Sequence, residues 1–510
     1  MTNGLYTRKS ARAAAFYALG FRIPGQAAAL GSYVVLVRWL PEAEYGVYSL
    51  LYAMLPVIGT LMSFGMENTL GRYQPEYLRK GENRLANRLS RNIALLRLAT
   101  SVMFLAAILV FWDEIAPFFD IAEYRDHFML FALLIITHFQ CHILSISLSA
   151  HLLHQYSVGL TAIFSVLKVV GYALAFWLQM FTLRTVILVD LAAYLILFAC
   201  LKYAYSSKPD HRKGERTALP PEEKKRLFRY AAYYSFNDVS ALTLDTHKDN
   251  FFLAAMLDRV AVGAYSFAYR FNEVLGRLSP VYLLETVVQP LFVSLDHRKD
   301  SQKIQGYFSL LMTAAFTVRV PLLAFTAAYH RAIVEVLFGG RFLEYSYLLP
   351  MTALFAIGFV INVPVTLVAQ QQEKAQFVLA SKVFGLVGIA GSLLLIPVMG
   401  VLGAVIAGGT SILMKNLFIW WFVRDLARWH NAGRFAWRAV LIWGGFALAV
   451  LLQQPWVTGQ PTLELATGLV IWSAFFLLQI RAAASADERR TVGDLFSGRE
   501  RKLLRLLGVA

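Results

Sequence analysis

The chain has 510 residues, of which 58% are hydrophobic and only 16% are charged. Soluble domains carry about 25% charged residues, so this composition excludes an ordinary water-soluble protein. The formal net charge of +16 does not indicate a nucleic-acid partner, because the basic residues lie in short segments between apolar runs and none of these segments is long enough for a binding domain. With a mean hydropathy of +0.54, the chain is predicted to be an all-α polytopic membrane protein.

About fourteen apolar runs are long enough to cross a bilayer as helices, at about 20 residues per crossing. In chain order they cover residues 13–38, 46–67, 90–112, 126–148, 158–180, 184–204, 231–256, 262–284, 306–327, 348–369, 376–396, 402–423, 438–453 and 462–480. The first run is longer than the apolar part of a signal peptide and carries Arg22 near its middle. We therefore expect it to remain as a span.

Basic residues concentrate in alternate connections between the runs, as they do in cytoplasmic loops. These basic segments are residues 8–12, 72–91, 208–229, 298–303, 424–438 and 481–505. The opposite connections hold little beyond Arg184, Arg259, Arg331 and Arg341. Both termini are therefore predicted to be cytoplasmic.

A short motif after the first run recurs after the seventh. The residues Leu40, Gly46, Tyr48, Ser49 and Tyr52 match Leu257, Gly263, Tyr265, Ser266 and Tyr269 at one constant offset. A second match at nearly the same offset relates Lys168 and Gly171 to Lys382 and Gly385. Because six spans separate the copies, they run in the same direction through the membrane, which indicates a parallel repeat.

The repeat predicts two pseudo-symmetric six-helix lobes around a central cavity, with two extra C-terminal helices. We assign residues 1–204 to the N-terminal lobe, 205–230 to a cytoplasmic basic linker and 231–423 to the C-terminal lobe. Residues 424–480 form the two extra spans, and 481–510 form a cytoplasmic basic tail.

Several basic residues lie inside the apolar runs, where a charge costs about 2.5 to 3.5 kcal/mol on insertion scales and usually faces a partner or a wet cavity. They are Arg22, Lys168, Arg270, Arg319, Lys382 and Lys415. Lys168 and Lys382 have no acidic residue three or four positions away in their own runs. We therefore predict that this set binds an anionic substrate.

Acidic residues form a second candidate site, in the seventh run. Asp238, Asp245 and Asp249 are spaced to lie within about 40° on one face of a continuous helix. This face is a candidate for coupling to protons or sodium ions, with Asp245 near mid-span as the best candidate. The alternative is structural ion pairing with basic residues of the next run.

Other kinds of site are not indicated. No GxxxxGK[ST] motif is present, so the chain is not expected to hydrolyse ATP. Cys141 and Cys200 lack CxxC spacing, and we expect no metal site, no cofactor and no catalytic residues. His138 and His142 are four residues apart without an adjacent carboxylate in the sequence, which favours a polar helix face over a proton relay.

The sequence resembles the polysaccharide-exporting flippases of the multidrug/oligosaccharidyl-lipid/polysaccharide (MOP) superfamily, the Wzx-like proteins. The matching residues are in the stretches 40–48, 65–73, 248–250, 262–270 and 398–404. The resemblance implies a two-lobe inner-membrane transporter that moves an undecaprenyl-pyrophosphate-linked oligosaccharide from the cytoplasmic to the periplasmic leaflet. Its expected partners are this lipid-linked oligosaccharide, membrane lipids, and a polysaccharide polymerase with other assembly proteins, but no nucleic acid.

Three alternatives remain open. A lipid II flippase would share fourteen spans and a cationic cavity, and a multidrug exporter of the same superfamily would show twelve spans and fewer cavity cations. A membrane-embedded polysaccharide polymerase or ligase would need a large external loop, whereas the longest one here, residues 330–347, is short.

Overall fold

A computed structural model describes residues 8–207, 221–277, 300–485 and 488–489, without the side chains of residues 8–23, 154, 155, 277 and 375. The described residues form helices and turns and contain no β-strand. The chain divides into two compact units, residues 1–263 and 264–510. The prediction of an all-α polytopic membrane protein is confirmed.

The first unit contains ten helices among its described residues, and an eleventh begins at its end. They are α1 (Arg8–Trp39), α2 (Glu42–Ser63), α3 (Met66–Arg79), α4 (Asn83–Val110), α5 (Trp112–Ile115), α6 (Arg125–Ala150), α7 (His154–Trp177), α8 (Leu183–Ser206), α9 (Pro221–Leu242), α10 (His247–Met256) and α11 (Arg259–Arg277). Within this unit, α1 packs along α7, and α6 packs along α8.

The second unit continues α11 and adds seven helices among its described residues. They are α12 (Ser301–Phe338), α13 (Leu348–Gln371), α14 (Ala375–Ala380), α15 (Phe384–Met399), α16 (Val401–Val423), α17 (Ala432–Val457) and α18 (Pro461–Ala483). The last two helices pack against each other and against α12. Tyr329 of α12 donates a hydrogen bond to Gln453 of α17 at 2.5 Å, and Trp472 of α18 donates one to the carbonyl of Pro321 at 2.9 Å.

Two glycines from the stretches that resemble the flippase family allow close backbone contacts within the first unit. A Cβ atom on Gly46 of α2 would lie 1.8 Å from the carbonyl oxygen of Arg259, at the start of α11. Gly65 ends the turn between α2 and α3 with φ of +69°, and a Cβ atom there would lie 2.1 Å from the carbonyl oxygen of Ala231. Both positions therefore require glycine for packing, and Gly65 also requires it for its left-handed backbone.

Eleven helices in the described part of the chain are long and apolar enough to span a membrane. Each coincides with one of the predicted runs. The three remaining runs are 13–38, 231–256 and 262–284. The first lies in α1, and residues 278–284 of the last lie outside the described part.

The run at residues 231–256 differs from the prediction of one continuous helix. It is divided between α9 and α10, because the chain leaves the helix at residues 243–246. The carboxylate of Asp245 accepts a hydrogen bond from the backbone N–H of His247 at 2.9 Å, two residues on. This local turn competes with helix continuation, so the common helical face predicted for Asp238, Asp245 and Asp249 is wrong.

Candidate functional site

The repeat motif places matched tyrosine pairs in the two units. In the first unit the rings of Tyr48 and Tyr52 lie 4.5 Å apart on α2, and in the second unit the rings of Tyr265 and Tyr269 also lie 4.5 Å apart on α11. Residues four apart face the same side of a helix, so each pair presents two phenol groups side by side. The repeated sequence therefore forms the same local structure twice.

In the first unit these phenols surround a buried carboxylate. Asp190 of α8 is fully buried. It accepts hydrogen bonds from the hydroxyl groups of Tyr48, at 3.0 Å, and of Tyr52 and Tyr172. A buried carboxylate is stable only when it is paired and hydrogen-bonded, and these three donors meet much of that requirement.

Lys168 completes this cluster as an ion pair. Its ammonium group lies 2.9 Å from a carboxylate oxygen of Asp190, and its side chain is 12% exposed. The ammonium group also lies 5.4 Å from the centre of the Tyr52 ring and 5.6 Å from that of Phe164. The charge predicted to bind an anionic substrate is therefore largely neutralised by an acidic residue on the next span.

A second polar cluster in the first unit contains a buried arginine that the sequence analysis did not identify. Arg97 of α4 donates a hydrogen bond to the carbonyl of Gly59 at 2.8 Å and lies 3.3 Å from the carboxylate of Glu67. Its guanidinium group stacks over Phe139 at 4.0 Å. His142 lies 3.7 Å from the same carboxylate, so a carboxylate does lie beside the histidine pair, supplied by α3.

The second unit has a cationic pair with a different environment. Lys415 of α16 donates a hydrogen bond to the amide oxygen of Asn362 on α13 at 2.6 Å. Lys382, which matches Lys168 in the repeat, lies in a turn of 3₁₀ helix at Ser381–Val383. Among the described residues, Lys415 forms no ion pair with a carboxylate.

The repeat explains this difference between the units. The offset that relates Lys168 to Lys382 takes Asp190 to position 404, which is alanine. The carboxylate that neutralises Lys168 thus has no counterpart at the equivalent position in the second unit.

Three further basic residues were predicted to belong to the site. Arg319 of α12 is buried and packs over Gly276 of α11, where a Cβ atom would lie 2.3 Å from the guanidinium group. Arg270 is half-buried on α11. Arg22 belongs to α1, and its side chain lies outside the described part of the structure.

The three predicted acidic residues have separate partners in the first unit. Asp238 accepts a hydrogen bond from Asn68 at 2.6 Å, and Asp245 accepts one from the ring of His247 at 2.7 Å. Asp249 is fully buried, and its carboxylate lies 3.2 Å from the ammonium group of Lys248.

An ion cluster links α3 to α9. Glu76 of α3 lies 3.0 Å from Lys80, 3.3 Å from Arg72 and 3.4 Å from Arg226 of α9. The hydrogen bond from Lys80, together with the charge of Arg226, lowers the pKa of Glu76 below its ordinary value of 4.5. The Tyr77 hydroxyl donates a hydrogen bond to Glu223 at 3.0 Å, and burial raises the pKa of Tyr77.

Comparison with known families and structures identifies a family. A family model described as "Polysaccharide biosynthesis protein" matches residues 35–347, more than half of the chain. No curated protein matches the chain. The resemblance drawn from the sequence is confirmed at the level of the family.

Solved structures show the same fold at low sequence identity. The chain is similar to the lipid II flippase MurJ in an inward closed conformation, with a TM-score of 0.66, 11% identity, and coverage of 92% of this chain and 98% of that one. It is also similar to an inward-facing multidrug resistance MATE family transporter of the MOP superfamily, with a TM-score of 0.62, 14% identity, and coverage of 81% and 98%. At these identities the likeness establishes the fold alone.

Proposed function

Since the chain belongs to the polysaccharide biosynthesis protein family, we propose that it is a flippase for an undecaprenyl-pyrophosphate-linked oligosaccharide repeat unit. It moves this lipid across the bacterial inner membrane by alternating access, for the synthesis of O-antigen, capsule or exopolysaccharide. A polysaccharide polymerase and other assembly proteins then use the translocated unit.

The observation that carries this proposal is the cationic pair in the second unit. Lys415 is held by a neutral amide and forms no ion pair with a carboxylate in the described part of the chain, and the repeat places alanine where the first unit has Asp190, so a bound anion would lower the electrostatic energy of Lys415. Asn362, hydrogen-bonded to Lys415 at 2.6 Å, adds an amide that also hydrogen-bonds to phosphate or sugar oxygens. Both features fit the pyrophosphate group and first sugar of the substrate.

The remaining basic residues enter the proposal with unequal roles. Lys382 and Lys415 bind the anionic head directly. Lys168 binds it in competition with Asp190, and Arg22, Arg270 and Arg319 complete the cationic lining.

The test is deletion of the gene in its native host, with the amounts of surface polysaccharide and lipid-linked oligosaccharide measured. We expect loss of surface polysaccharide and accumulation of the lipid-linked unit on the cytoplasmic side. The Lys415→Ala variant should export roughly 10-fold to 100-fold more slowly, because a hydrogen bond to a charged group contributes about 1.5 to 3 kcal/mol. Lys415→Arg should restore part of the export, since it keeps the charge.

Lys303→Ala is the matched control, because Lys303 is an exposed lysine of the second unit that pairs with Asp300 at 2.9 Å. It should export normally. Accumulation of lipid II in the deletion strain would assign the chain to lipid II transport instead. Surface polysaccharide of shortened chain length, with repeat units still exported, would indicate a polymerase.

We also propose that an ion gradient drives transport. Asp245 is the main coupling residue, and Asp238 and Asp249 are the other two members of the proposed ion-coupling set. Asp245 lies in the break between α9 and α10, and its side chain is 31% exposed, as an ion-coupling carboxylate must be at least in part. Transport in proteoliposomes should respond to an imposed proton or sodium gradient, and Asp245→Asn should abolish this response. Normal gradient dependence in that variant would move the role to another residue.

A further inference from the structure

A cavity of about 270 Å³ lies where the second unit's last two spans meet their basic flanks. Its lining residues are Asn431, Arg434, Arg438, Ala484, Ser485 and Arg489. Three of these six are arginines. From the sequence, the basic residues here are explained by membrane orientation alone, which requires no cavity.

The cavity wall is built around a buried acidic residue. Glu488 is 3% exposed, and its carboxylate accepts hydrogen bonds from Ser309 and Thr313 of α12, each at 2.7 Å. It also accepts hydrogen bonds from Asn431 at 3.3 Å and from the backbone N–H of Ser485 at 2.8 Å. Because uncharged groups satisfy Glu488, it fixes the chain after α18 without forming an ion pair with the arginines.

The arginines are placed where their charges are unfavourable. Arg434 and Arg438 are four residues apart at the start of α17, whose first turn contains no acidic residue. Two positive charges at this spacing repel each other, and Arg434 lies in the first turn, at the positive end of the helix dipole. A bound anion would relieve both effects.

The arginines also have unused hydrogen-bonding capacity. Arg438 donates to the carbonyl of Ala482 at 2.7 Å, and Arg489 donates to that of Arg481 at 2.7 Å. These bonds hold the two guanidinium groups in place, while the Nε atom of Arg489 is buried without an acceptor. In the described part of the chain, none of the three cavity arginines forms an ion pair with a carboxylate.

We propose that this cavity binds the phosphate group of an anionic membrane lipid. Guanidinium groups match phosphate oxygens in geometry and charge, and basic pockets between membrane helices bind lipid head groups. The depth is also suitable, because Trp437, Val440 and Leu441 are more than half exposed within one turn of Arg438. Such apolar side chains face lipid tails, so the arginines lie at the level of the head groups.

The test measures the melting temperature of the full-length protein in a neutral detergent, with tryptophan fluorescence as the signal that reports unfolding. Three probes are compared: a short-chain phosphatidylglycerol, a short-chain phosphatidylcholine and inorganic phosphate. We expect phosphatidylglycerol to raise the melting temperature more than phosphatidylcholine does. Inorganic phosphate at the same concentration should have little effect, because it lacks the acyl chains that keep the head group at this depth.

The variants separate this cavity from general surface charge. Arg434→Gln combined with Arg438→Gln should lose at least half of the shift produced by phosphatidylglycerol. The matched control, Arg424→Gln with Arg428→Gln, removes the same charge outside the cavity and should keep the full shift. Equal shifts in the two double variants would overturn the proposal, and an effect of inorganic phosphate equal to that of the lipid would reassign the cavity to a soluble phosphate.

Discussion

The ammonium group of Lys168 lies 2.9 Å from the carboxylate of Asp190, and both side chains are largely removed from solvent. The sequence shows that Lys168 lacks an acidic neighbour on its own span, and that remains correct. It does not show which residue of the following span turns towards the lysine, because that depends on how α7 and α8 pack. Arg97 and Glu67 were missed for the same reason, although each could have been noted as a charge within or beside an apolar run.

Removing Lys168 alone should destabilise the protein, because Asp190 would keep a buried charge without its cation. Breaking a buried ion pair in this way costs about 3 to 5 kcal/mol. We expect Lys168→Ala to lower the melting temperature strongly, and the combined variant Lys168→Ala, Asp190→Asn to recover most of the loss. Lys202→Ala, an exposed lysine on α8, is the control and should melt as the unaltered chain does.

The same combined variant tests the proposed role of Lys168 in transport. A folded protein that fails to export would support substrate binding by this lysine. Full export by the combined variant would leave Lys168 with a structural role only. Adding Lys382→Ala extends the test to the matched position, and full export by that triple variant would remove both lysines from the proposed site.

The positions of the spans were predicted wherever hydropathy alone determines them, but not all of their ends, since the run 306–327 belongs to a helix that extends from Ser301 to Phe338. All eleven apolar helices coincide with predicted runs, because a bilayer requires long apolar segments that satisfy their own backbone hydrogen bonds. The break between α9 and α10 was not predicted. It depends on one side chain, Asp245, bonding to the backbone two residues on, and average hydropathy does not register such a turn.

The contact between α3 and α9 gives a prediction at the level of these two helices. Glu76 is within 3.4 Å of three basic groups, one of them on α9, and its pKa is lowered chiefly by the hydrogen bond from Lys80. A carboxylate whose pKa is lower in the folded state stabilises that state above its unfolded pKa and loses the effect as pH falls. Glu76→Gln should therefore lower the melting temperature near neutral pH.

The difference between the unaltered chain and Glu76→Gln should shrink below the ordinary pKa of 4.5, where the carboxylate becomes protonated. Glu222→Gln serves as the control, since Glu222 is exposed on α9. A difference that stays constant from neutral to acidic pH would show that the ion cluster does not contribute to stability.

For the molecule as a whole, composition and the run of apolar segments were sufficient to predict the fold class. The short repeat found in the sequence corresponds in the structure to two tyrosine pairs with the same ring separation, one in each unit. The candidate site was predicted less completely. Sequence reasoning selected Lys168 and Lys382 as equivalents, but only their surroundings reveal that the first is paired with Asp190, whereas position 404 offers no carboxylate.

The orientation in the membrane is the remaining prediction at this scale, and it rests on the distribution of Lys and Arg among the connections. Ser207, at the end of α8, and Thr458, between α17 and α18, are both exposed, so a cysteine at either position is available to a reagent on its side of the membrane. With both termini cytoplasmic, Ser207 follows six spans and lies inside, whereas Thr458 follows thirteen and lies outside. The two positions should therefore react differently.

The measurement is labelling of intact cells with a membrane-impermeant thiol reagent. Cys141 and Cys200 are first replaced with alanine, because Cys200 is exposed and would react itself. We expect Thr458→Cys to be labelled in intact cells and Ser207→Cys to be labelled only after the membrane is permeabilised. Labelling of Ser207→Cys in permeabilised cells is also the control that this cysteine can react. The reverse pattern would place the basic connections outside, and with them the cavity formed by Arg434, Arg438 and Arg489. An equal reaction of both positions in intact cells would mean that an even number of spans separates them, instead of the predicted seven. The prediction that residues 231–256, which are divided between α9 and α10, form one crossing would then have to be reconsidered.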